Sequence, residues 1–245
     1  MQSMLIAVPS KGRAGKTPTT KLLGEAATLF VPASEFEQYK KCSKGEKVVA
    51  VPNDVRGITP TRNWIIDYSQ SNRIVMIDDD VKAQGFMQLN AFNAKHKKMT
   101  SQEWLIEWEK LFEVAEDMQY RIWGVSTDGA LRSVYPWSPF LWQSYVTASC
   151  MGLRKETGIR FDESYPVKED YEICLRCIAE DGGVVAARYL YWANSHWVDD
   201  GGCKDYRTAT MEKRMIDKLL KQYPGLIRSV TRANGASEYS IQLEF

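Results

Sequence analysis

The stretch that decides the fold is RIVMIDDDV, residues 73–81, in which a short apolar strand ends in three consecutive aspartates. In an extended chain, residues two apart point to the same side, so Asp78 and Asp80 are expected to face one cation. Carboxylate oxygens suit Mg²⁺ or Mn²⁺, and such a cation can bridge two phosphates. Three adjacent acids would repel one another without a cation, which favours a metal site over a solvated turn.

The N-terminal third alternates short apolar segments with helix-like ones. Strands that are apolar throughout are usually buried on both faces of a parallel sheet. Such strands are expected at Met4–Pro9, Ala27–Pro32, 48–52 and Arg73–Ile77, and helices at 18–25, 34–41 and 61–69. This alternation predicts an α/β fold with a Rossmann-type nucleotide-binding half over about residues 1–82.

In the rest of the chain the short apolar segments no longer alternate regularly with helix-like ones, and longer amphipathic stretches appear. A helix is predicted at 101–119, with Ser101 as its N-cap. Two further helices are predicted at 170–180 and 205–223. Strands are predicted at Ile122–Ser126, 145–153 and 184–192, and a surface loop at 134–142. We therefore expect one domain with a mixed central sheet flanked by helices. Its second half, at about 83–204, would carry the acceptor and catalytic groups, and 205–245 would form a closing helix and tail.

The first strand leads into SKGRAGKT, residues 10–17, which is similar to the phosphate loop of ATPases. Ser10 stands where that loop needs its first glycine, and Pro18 has no N–H to offer a phosphate. A working loop of this kind is disfavoured, although a nucleotidyltransferase or another NTP-using enzyme stays open as an alternative. Ligands of open α/β sheets bind beyond the carboxyl ends of the strands, so Pro9, Ser10 and Arg13 are expected to line a nucleotide pocket.

Composition excludes some classes of protein. The net charge of +1 argues against a strongly electropositive nucleic-acid binder, although the local cluster Lys95-His96-Lys97-Lys98 could form a basic face. No apolar run approaches the roughly 20 residues that span a bilayer, so no membrane partner is expected. The five scattered cysteines indicate a reducing, cytoplasmic location. Cys174 and Cys177 have helical spacing and no second pair, so they are interpreted as core thiols.

The four strands, the pair Arg62-Asn63 and the run Asp78-Asp79-Asp80 together resemble the nucleotide half of a GT-A glycosyltransferase. In that family an Asp-x-Asp pair holds a divalent metal on the donor diphosphate. The resemblance implies Mn²⁺ or Mg²⁺ on Asp78 and Asp80, a nucleotide-sugar donor with UDP-sugar as the expected one, and Arg62 near the nucleotide. The donor contacts expected from the strand ends and from the resemblance are Pro9, Ser10, Arg13, Arg62, Asp78 and Asp79.

A second match to the same family is Lys168-Glu169-Asp170-Tyr171, which resembles its Glu-Asp motif at a helix start. In inverting members that aspartate is the catalytic base, which implies Asp170 as base with Glu169 beside it. A carboxylate at a helix N-terminus is stabilised as the anion and can accept a hydroxyl proton, although a simple acidic cap has the same pattern. His196, in the polar stretch NSHWVDDGG, matches a third metal ligand, with Asp199 and Asp200 as competitors.

More narrowly, the opening IAVPSKGR and the compact length resemble phage glycosyltransferases found beside TET-like oxygenases, over about residues 4–202. That group is thought to glycosylate hydroxymethylated pyrimidines in phage DNA, which implies DNA as the acceptor. The aromatic residues of the 134–142 loop could stack on a base or a sugar ring, or form a hydrophobic lid. A glycan or small-molecule acceptor, and a non-catalytic binding module, are the remaining alternatives.

Overall fold

The computed structural model of the chain describes residues 3–89, 94–126, 138–194, 207–230 and 240–243. Within these residues a mixed sheet of ten strands has the order β3-β2-β1-β4-β9-β7-β10-β5-β6, and β8 pairs with β10. The strands are β1 Met4–Pro9, β2 Ala27–Pro32, β3 Lys47–Val51, β4 Arg73–Ile77, β5 Val81–Leu89, β6 Ala94–Lys98, β7 Ile122–Ser126, β8 Phe140–Leu141, β9 Cys150–Arg154 and β10 Val185–Asn194, while β11 Ile227–Val230 and β12 Ser240–Leu243 form a separate pair.

Helices connect the strands and cover both faces of the sheet. They are α1 Pro18–Leu23, α2 Phe36–Cys42, α3 Ile58–Tyr68, α4 Ser101–Asp117, α5 Glu169–Asp181 and α6 Ala209–Gln222, with single 3-10 turns at Gly24–Ala26, Ala33–Glu35 and Lys155–Thr157. In the described part of the chain, no helix combines the length and the apolar character that a membrane crossing requires.

The N-terminal half has the predicted alternation of strand and helix. Strands β3, β2, β1 and β4 are parallel neighbours, and every residue of β4 is buried. An all-apolar strand in the middle of a covered sheet loses water from both faces, which is why the β4 sequence has no polar residue between Arg73 and Asp78. The carboxyl ends of β1 and β4 meet at one edge, and this places the loop after β1 beside the acidic turn after β4.

Parallel pairing is interrupted where β9 joins β4. Strand β9 runs antiparallel to both β4 and β7. Strands β7 and β10 are again parallel, and β5 runs antiparallel to β10. After the acidic turn the chain therefore does not return beside β4 but crosses to β10. The predicted strand at 145–153 was wrong in its first half, because β9 begins only at Cys150. Residues 145–149 instead form the approach to β9, and they contribute to the site described below.

Apolar clusters lie on both faces of the sheet. On the α4 face, Trp104 and Trp108 pack against Trp192 of β10, with ring centroids 5.3 and 6.0 Å from that of Trp192. On the opposite face, α3 and α5 cover the sheet, and Cys174 and Cys177 are buried there, as expected of core thiols. These clusters fix α3 and α5, the two helices that carry charged residues into the site.

Part of the 134–142 loop lies within the described residues. Phe140 and Leu141 form the short strand β8 on β10, so the expectation of a loop without secondary structure was wrong there. The Phe140 ring stacks on Trp142 at 5.7 Å, and Trp142 is exposed. The aromatic residues Tyr135 and Trp137 lie outside the described residues.

The N-cap of α4 also differs from the prediction. Thr100, not Ser101, caps the helix: its hydroxyl accepts from the Glu103 N–H at 3.2 Å, and the Glu103 carboxylate accepts from the Thr100 N–H at 2.7 Å. This reciprocal capping box satisfies two backbone donors that would otherwise have no helical partner.

Alanine substitutions at the two neighbouring hydroxyl residues should therefore have different effects on stability. Thr100→Ala is expected to lower the free energy of unfolding by about 1 kcal/mol, a melting temperature lower by roughly 2–4 °C. Ser101→Ala, the matched control, should leave the melting temperature within about 1 °C of wild type, since alanine is a better helix former than serine. Equal effects of the two changes in a thermal unfolding experiment would contradict this assignment.

Candidate active site

The acidic turn after β4 is held by backbone and hydroxyl contacts from two sides. Thr19, a buried residue of α1, donates its hydroxyl to the Asp78 carbonyl at 2.6 Å and accepts from the Val81 N–H at 3.0 Å. From the other side, the Asp78 N–H donates to the Ser149 carbonyl at 3.1 Å. The turn is thereby fixed between α1 and the approach to β9, so its carboxylates have defined directions.

Arg62 of α3 joins the acidic turn to the start of α5. Its Nη2 lies 3.2 Å from Asp78 Oδ1, and its Nε lies 3.6 Å from Glu169 Oε1. Its Nη1 donates to the Ala148 carbonyl at 3.2 Å. Only 3 % of the Arg62 side chain is exposed. The structure thus places this guanidinium between two carboxylates, and the expected place of Arg62 near the nucleotide stays a prediction.

Asp79, the middle aspartate, is directed toward the loop after β1. One carboxylate oxygen accepts from the Ser10 hydroxyl and the other from the Arg13 guanidinium. Tyr39 of α2 completes the cluster, because its hydroxyl lies 2.8 Å from Ser10 Oγ and accepts from the Arg13 N–H at 2.9 Å. Burial raises the pKa of Asp79, and the Ser10 hydrogen bond and the Arg13 charge oppose that rise. Asp79 therefore anchors the loop that carries Ser10 and Arg13, both expected donor contacts.

The backbone amides of this loop are directed to protein acceptors. The Gly12 N–H donates to the Glu35 carboxylate at 2.7 Å, and the Lys16 N–H donates to the Arg13 carbonyl at 2.8 Å. In an ATPase phosphate loop such amides surround the phosphates instead. The geometry therefore agrees with the expectation that SKGRAGKT is not a loop of that kind. Pro9, the last residue of β1 and the residue before this loop, is buried.

Asp170 is the second residue of α5, and its carboxylate accepts two hydrogen bonds. One carboxylate oxygen accepts from the Tyr145 hydroxyl, and the other from the Tyr171 N–H at 3.0 Å. The rings of Tyr145 and Tyr171 stack with centroids 4.1 Å apart and 19° between their planes. Lys168, in the left-handed conformation at φ 65°, precedes the helix, and its ammonium lies 4.9 Å from the Tyr171 ring centroid. Asp170 stays partly exposed.

The carboxylates of the site act on one another electrostatically. Desolvation raises the pKa of Asp78 to about 7, Arg62 opposes the rise, and the charges of Asp80, Asp79 and Asp170 add to it. Desolvation and Asp170 likewise raise the pKa of Glu169 to about 7. The arrangement is thus more negative than the arginines neutralise. A cluster of this kind favours a bound cation.

The residues present fit a divalent metal by the chemistry of their donors. Asp78 and Asp80 offer hard carboxylate oxygens, and Arg13 Nη1 lies 3.8 Å from Asp80. Among the described residues, no group of three or more His, Cys, Asp or Glu side chains is arranged to hold a metal ion. The predicted third ligand, His196, and its competitors Asp199 and Asp200 lie outside the described residues.

Three contributors to the site were not found from the sequence. Thr19, Tyr39 and Tyr145 all act on residues more than 20 positions away, and a single sequence has no local signal for such contacts. The strand predicted at 145–153 would have alternated its side chains between the two sheet faces. That prediction gave no indication that Tyr145 contacts the start of α5.

Comparisons with known proteins identify the fold and the family. Residues 4–202 match the family described as TET-Associated Glycosyltransferase. Among curated proteins no relative is found. Similar solved structures include S. aureus TarS with UDP-GlcNAc, with a TM-score of 0.51 and 11% identity over 90% of this chain and 67% of that one.

Two further similar structures contain Mn²⁺. Glucosyl-3-phosphoglycerate synthase from Mycobacterium tuberculosis, with Mn²⁺, UDP-glucose and glycerol 3-phosphate, has a TM-score of 0.55 and 10% identity over 99% of this chain and 87% of that one. The mannosyltransferase PcManGT from Pyrobaculum calidifontis, with GDP-mannose and Mn²⁺, has a TM-score of 0.55 and 10% identity over 90% of this chain and 64% of that one. At these identities the likeness establishes a shared fold.

The family match covers most of the chain, and the fold is that of its glycosyltransferase neighbours, so both resemblances noted in the sequence are confirmed. This chain belongs to the TET-associated glycosyltransferase family and is a glycosyltransferase of the GT-A fold.

Proposed function

We propose that this glycosyltransferase moves a sugar from a UDP-sugar to the hydroxyl of a hydroxymethylated pyrimidine in DNA, with inversion at the anomeric carbon. The observation that carries the proposal is the bridge from Asp78 through Arg62 to Glu169. It brings the acidic turn, where a donor diphosphate and its metal would lie, to the start of α5, where the expected base Asp170 is the next residue. The charge of Asp170 raises the pKa of Asp78, so the two carboxylates are electrostatic neighbours.

The donor side is proposed for the loop after β1 and the acidic turn. Asp78 and Asp80 would hold Mn²⁺ or Mg²⁺, with His196 as a further ligand. When bound, this cation neutralises charge that develops on the leaving diphosphate. The nucleotide would lie against Pro9, Ser10 and Arg13, a loop that Asp79 keeps in place. Similar solved structures hold UDP-GlcNAc, UDP-glucose with Mn²⁺, and GDP-mannose with Mn²⁺, which supports a nucleotide-sugar with a metal.

On the acceptor side, Asp170 would act as the general base. Its carboxylate takes the proton of the acceptor hydroxyl while that oxygen attacks the anomeric carbon from the face opposite the diphosphate. The new carbon–oxygen bond forms as the bond to the diphosphate breaks, and UDP leaves with the electron pair. The Tyr171 N–H donates to the Asp170 carboxylate at the N-terminus of α5, which holds that carboxylate at the start of the helix. Glu169, paired with Arg62, holds this end of the helix toward the acidic turn.

DNA is proposed as acceptor on two grounds. The family is named for its association with TET proteins, and the related phage group is thought to modify hydroxymethylated bases. In addition, β6 presents the exposed side chains Lys95, His96, Lys97 and Lys98 along the edge of the sheet, where they could meet phosphates although the net charge is only +1.

Metal binding should weaken as the pH falls. A metal ligand must be deprotonated, and Asp78 has a pKa near 7, so protons compete with Mn²⁺ below that value. Calorimetric titration should give a Kd for Mn²⁺ about tenfold weaker at pH 6 than at pH 8. Asp80→Ala, which removes the second ligand, should abolish the heat of binding at both values. Wild-type affinity that is independent of pH, or retained in Asp80→Ala, would contradict the assignment.

Removing the base should affect transfer and not binding. Asp170→Asn keeps the shape of the side chain but cannot accept the hydroxyl proton, and turnover should fall about 10²- to 10⁴-fold while Mn²⁺ and UDP affinities stay near wild type. Asp181→Asn, at the other end of α5 where the side chain pairs with Arg121, is the matched control and should keep its turnover. Full activity of Asp170→Asn would remove Asp170 from this role.

The acceptor can be identified by measuring the transfer of radiolabelled sugar. The purified protein, with Mn²⁺ and a panel of nucleotide-sugars, is offered duplex DNA that contains hydroxymethylated pyrimidines and the same duplex without them. We expect label only in the hydroxymethylated duplex, and NMR of the product should show the anomeric configuration inverted relative to the donor. Transfer to a glycan and to neither duplex would overturn the DNA acceptor while leaving the transferase activity in place. A retained configuration would overturn the mechanism.

A further inference from the structure

Tyr145 contacts the proposed base but has no role in the proposal above. It precedes β9, and its hydroxyl donates to the Asp170 carboxylate across 25 positions of the chain. Its ring stacks on Tyr171, the residue after Asp170, at a centroid distance of 4.1 Å. Tyr145 therefore contacts the first turn of α5 at two points, one polar and one aromatic.

The backbone beside Tyr145 is fixed to the same helix. The Val146 N–H donates to Cys174 Sγ at 3.4 Å, and the Cys174 thiol donates to the Val146 carbonyl at 3.1 Å. Val146 and Cys174 are both buried, so this pair of contacts is shielded from water. A tyrosine has few rotatable bonds, and with its backbone and its ring both held, its hydroxyl has little freedom to leave Asp170.

The Tyr145 hydroxyl is a permanent donor. Desolvation and the charge of Asp170 raise the pKa of Tyr145 well above its usual value, so the phenol stays protonated at neutral pH. A carboxylate has about four acceptor positions, and here Tyr145 and the Tyr171 N–H occupy one on each oxygen. Positions remain on both oxygens for the hydroxyl of an acceptor.

We propose that Tyr145 is a positioning residue: its hydroxyl fixes the rotation of the Asp170 carboxylate and turns the remaining acceptor positions toward the incoming hydroxyl. This rests on the proposed role of Asp170 as base. A directional hydrogen bond restricts rotation about the last side-chain bond, and this restriction would be lost if the hydroxyl were removed.

Other groups also act on Asp170. Glu169 and Cys174 of its own helix and Asp78 of the acidic turn are its electrostatic neighbours, and Arg62 of α3 pairs with two of these carboxylates. Lys168 contributes a positive charge beside Tyr171. A test of Tyr145 must therefore leave every charge unchanged. Tyr145→Phe meets this condition, and it also keeps the ring that stacks on Tyr171.

The test separates kcat from KM in Tyr145→Phe and wild type at pH 8, where the metal ligands are deprotonated. We expect kcat about 10- to 100-fold lower, the loss typical of a hydrogen bond to a charged group, with the acceptor KM and the Mn²⁺ and UDP affinities near wild type. Turnover is expressed per UDP-binding site, so partial unfolding does not hide the result.

Tyr223→Phe is the matched control. The Tyr223 hydroxyl donates to the Glu172 carboxylate on the same helix at 3.0 Å, so the change removes the same kind of bond two residues away from Asp170. Its kcat should stay within about twofold of wild type. A wild-type kcat in Tyr145→Phe would overturn the proposal, as would an equal loss of kcat in Tyr223→Phe.

A double mutant separates this inference from the proposed function. If Tyr145 acts through Asp170, adding Tyr145→Phe to Asp170→Asn should change the residual turnover by less than about twofold. A further large loss in the double mutant would overturn the positioning role. Full turnover of Asp170→Asn alone would instead contradict the base assignment itself. A strong loss in Asp170→Asn with a normal Tyr145→Phe would remove only the inference about Tyr145.

Discussion

The buried guanidinium of Arg62 is the interaction on which the rest of the site depends. A buried positive charge is costly unless it is paired, and here carboxylates from two distant parts of the chain pair with it, together with a backbone carbonyl. One carboxylate follows β4 and the other begins α5, so the same contact that satisfies Arg62 joins the two halves of the site. Since both carboxyl groups have raised pKa values, loss of the guanidinium would favour their neutral forms and remove the charge that a metal needs.

The three adjacent aspartates have different partners although they are the same type of residue. Asp78 pairs with Arg62, Asp79 turns inward to Ser10 and Arg13, and Asp80 lies between that loop and the start of β5. The three aspartates lie in a turn and not in a continued strand, so the extended geometry that predicted a shared side for Asp78 and Asp80 does not apply here. Within the turn the two carboxylates are electrostatic neighbours, because the charge of Asp80 raises the pKa of Asp78. Through Asp79 the turn is also bonded to the loop after β1, the second segment that would contact a donor.

Sequence reasoning succeeded where the pattern was local. The four parallel strands follow from apolar runs that are buried on both faces, and the acidic run and the Glu-Asp pair were enough to indicate the family. It failed where tertiary pairing decides. Strand β6 is lysine-rich and forms only because β5 offers its edge, and no local pattern in a single sequence shows that Arg62 meets Glu169 from more than 100 residues away. The N-cap of α4 is a different case, because the signal was local: Glu103 stands three residues after Thr100, which is the spacing of a capping box, and the prediction of Ser101 overlooked it.

The central claim is that the acidic turn binds a metal through Asp78 and Asp80 while Arg62 keeps that turn attached to α5. Anomalous diffraction from crystals grown with Mn²⁺ and UDP measures this most directly. The account predicts one strong manganese peak within coordinating distance of the Asp78 and Asp80 carboxylates, with Arg62 still between Asp78 and Glu169 and with Asp79 still bonded to Ser10 and Arg13. A manganese peak elsewhere, or one coordinated by Asp79 in place of Asp78, would contradict it.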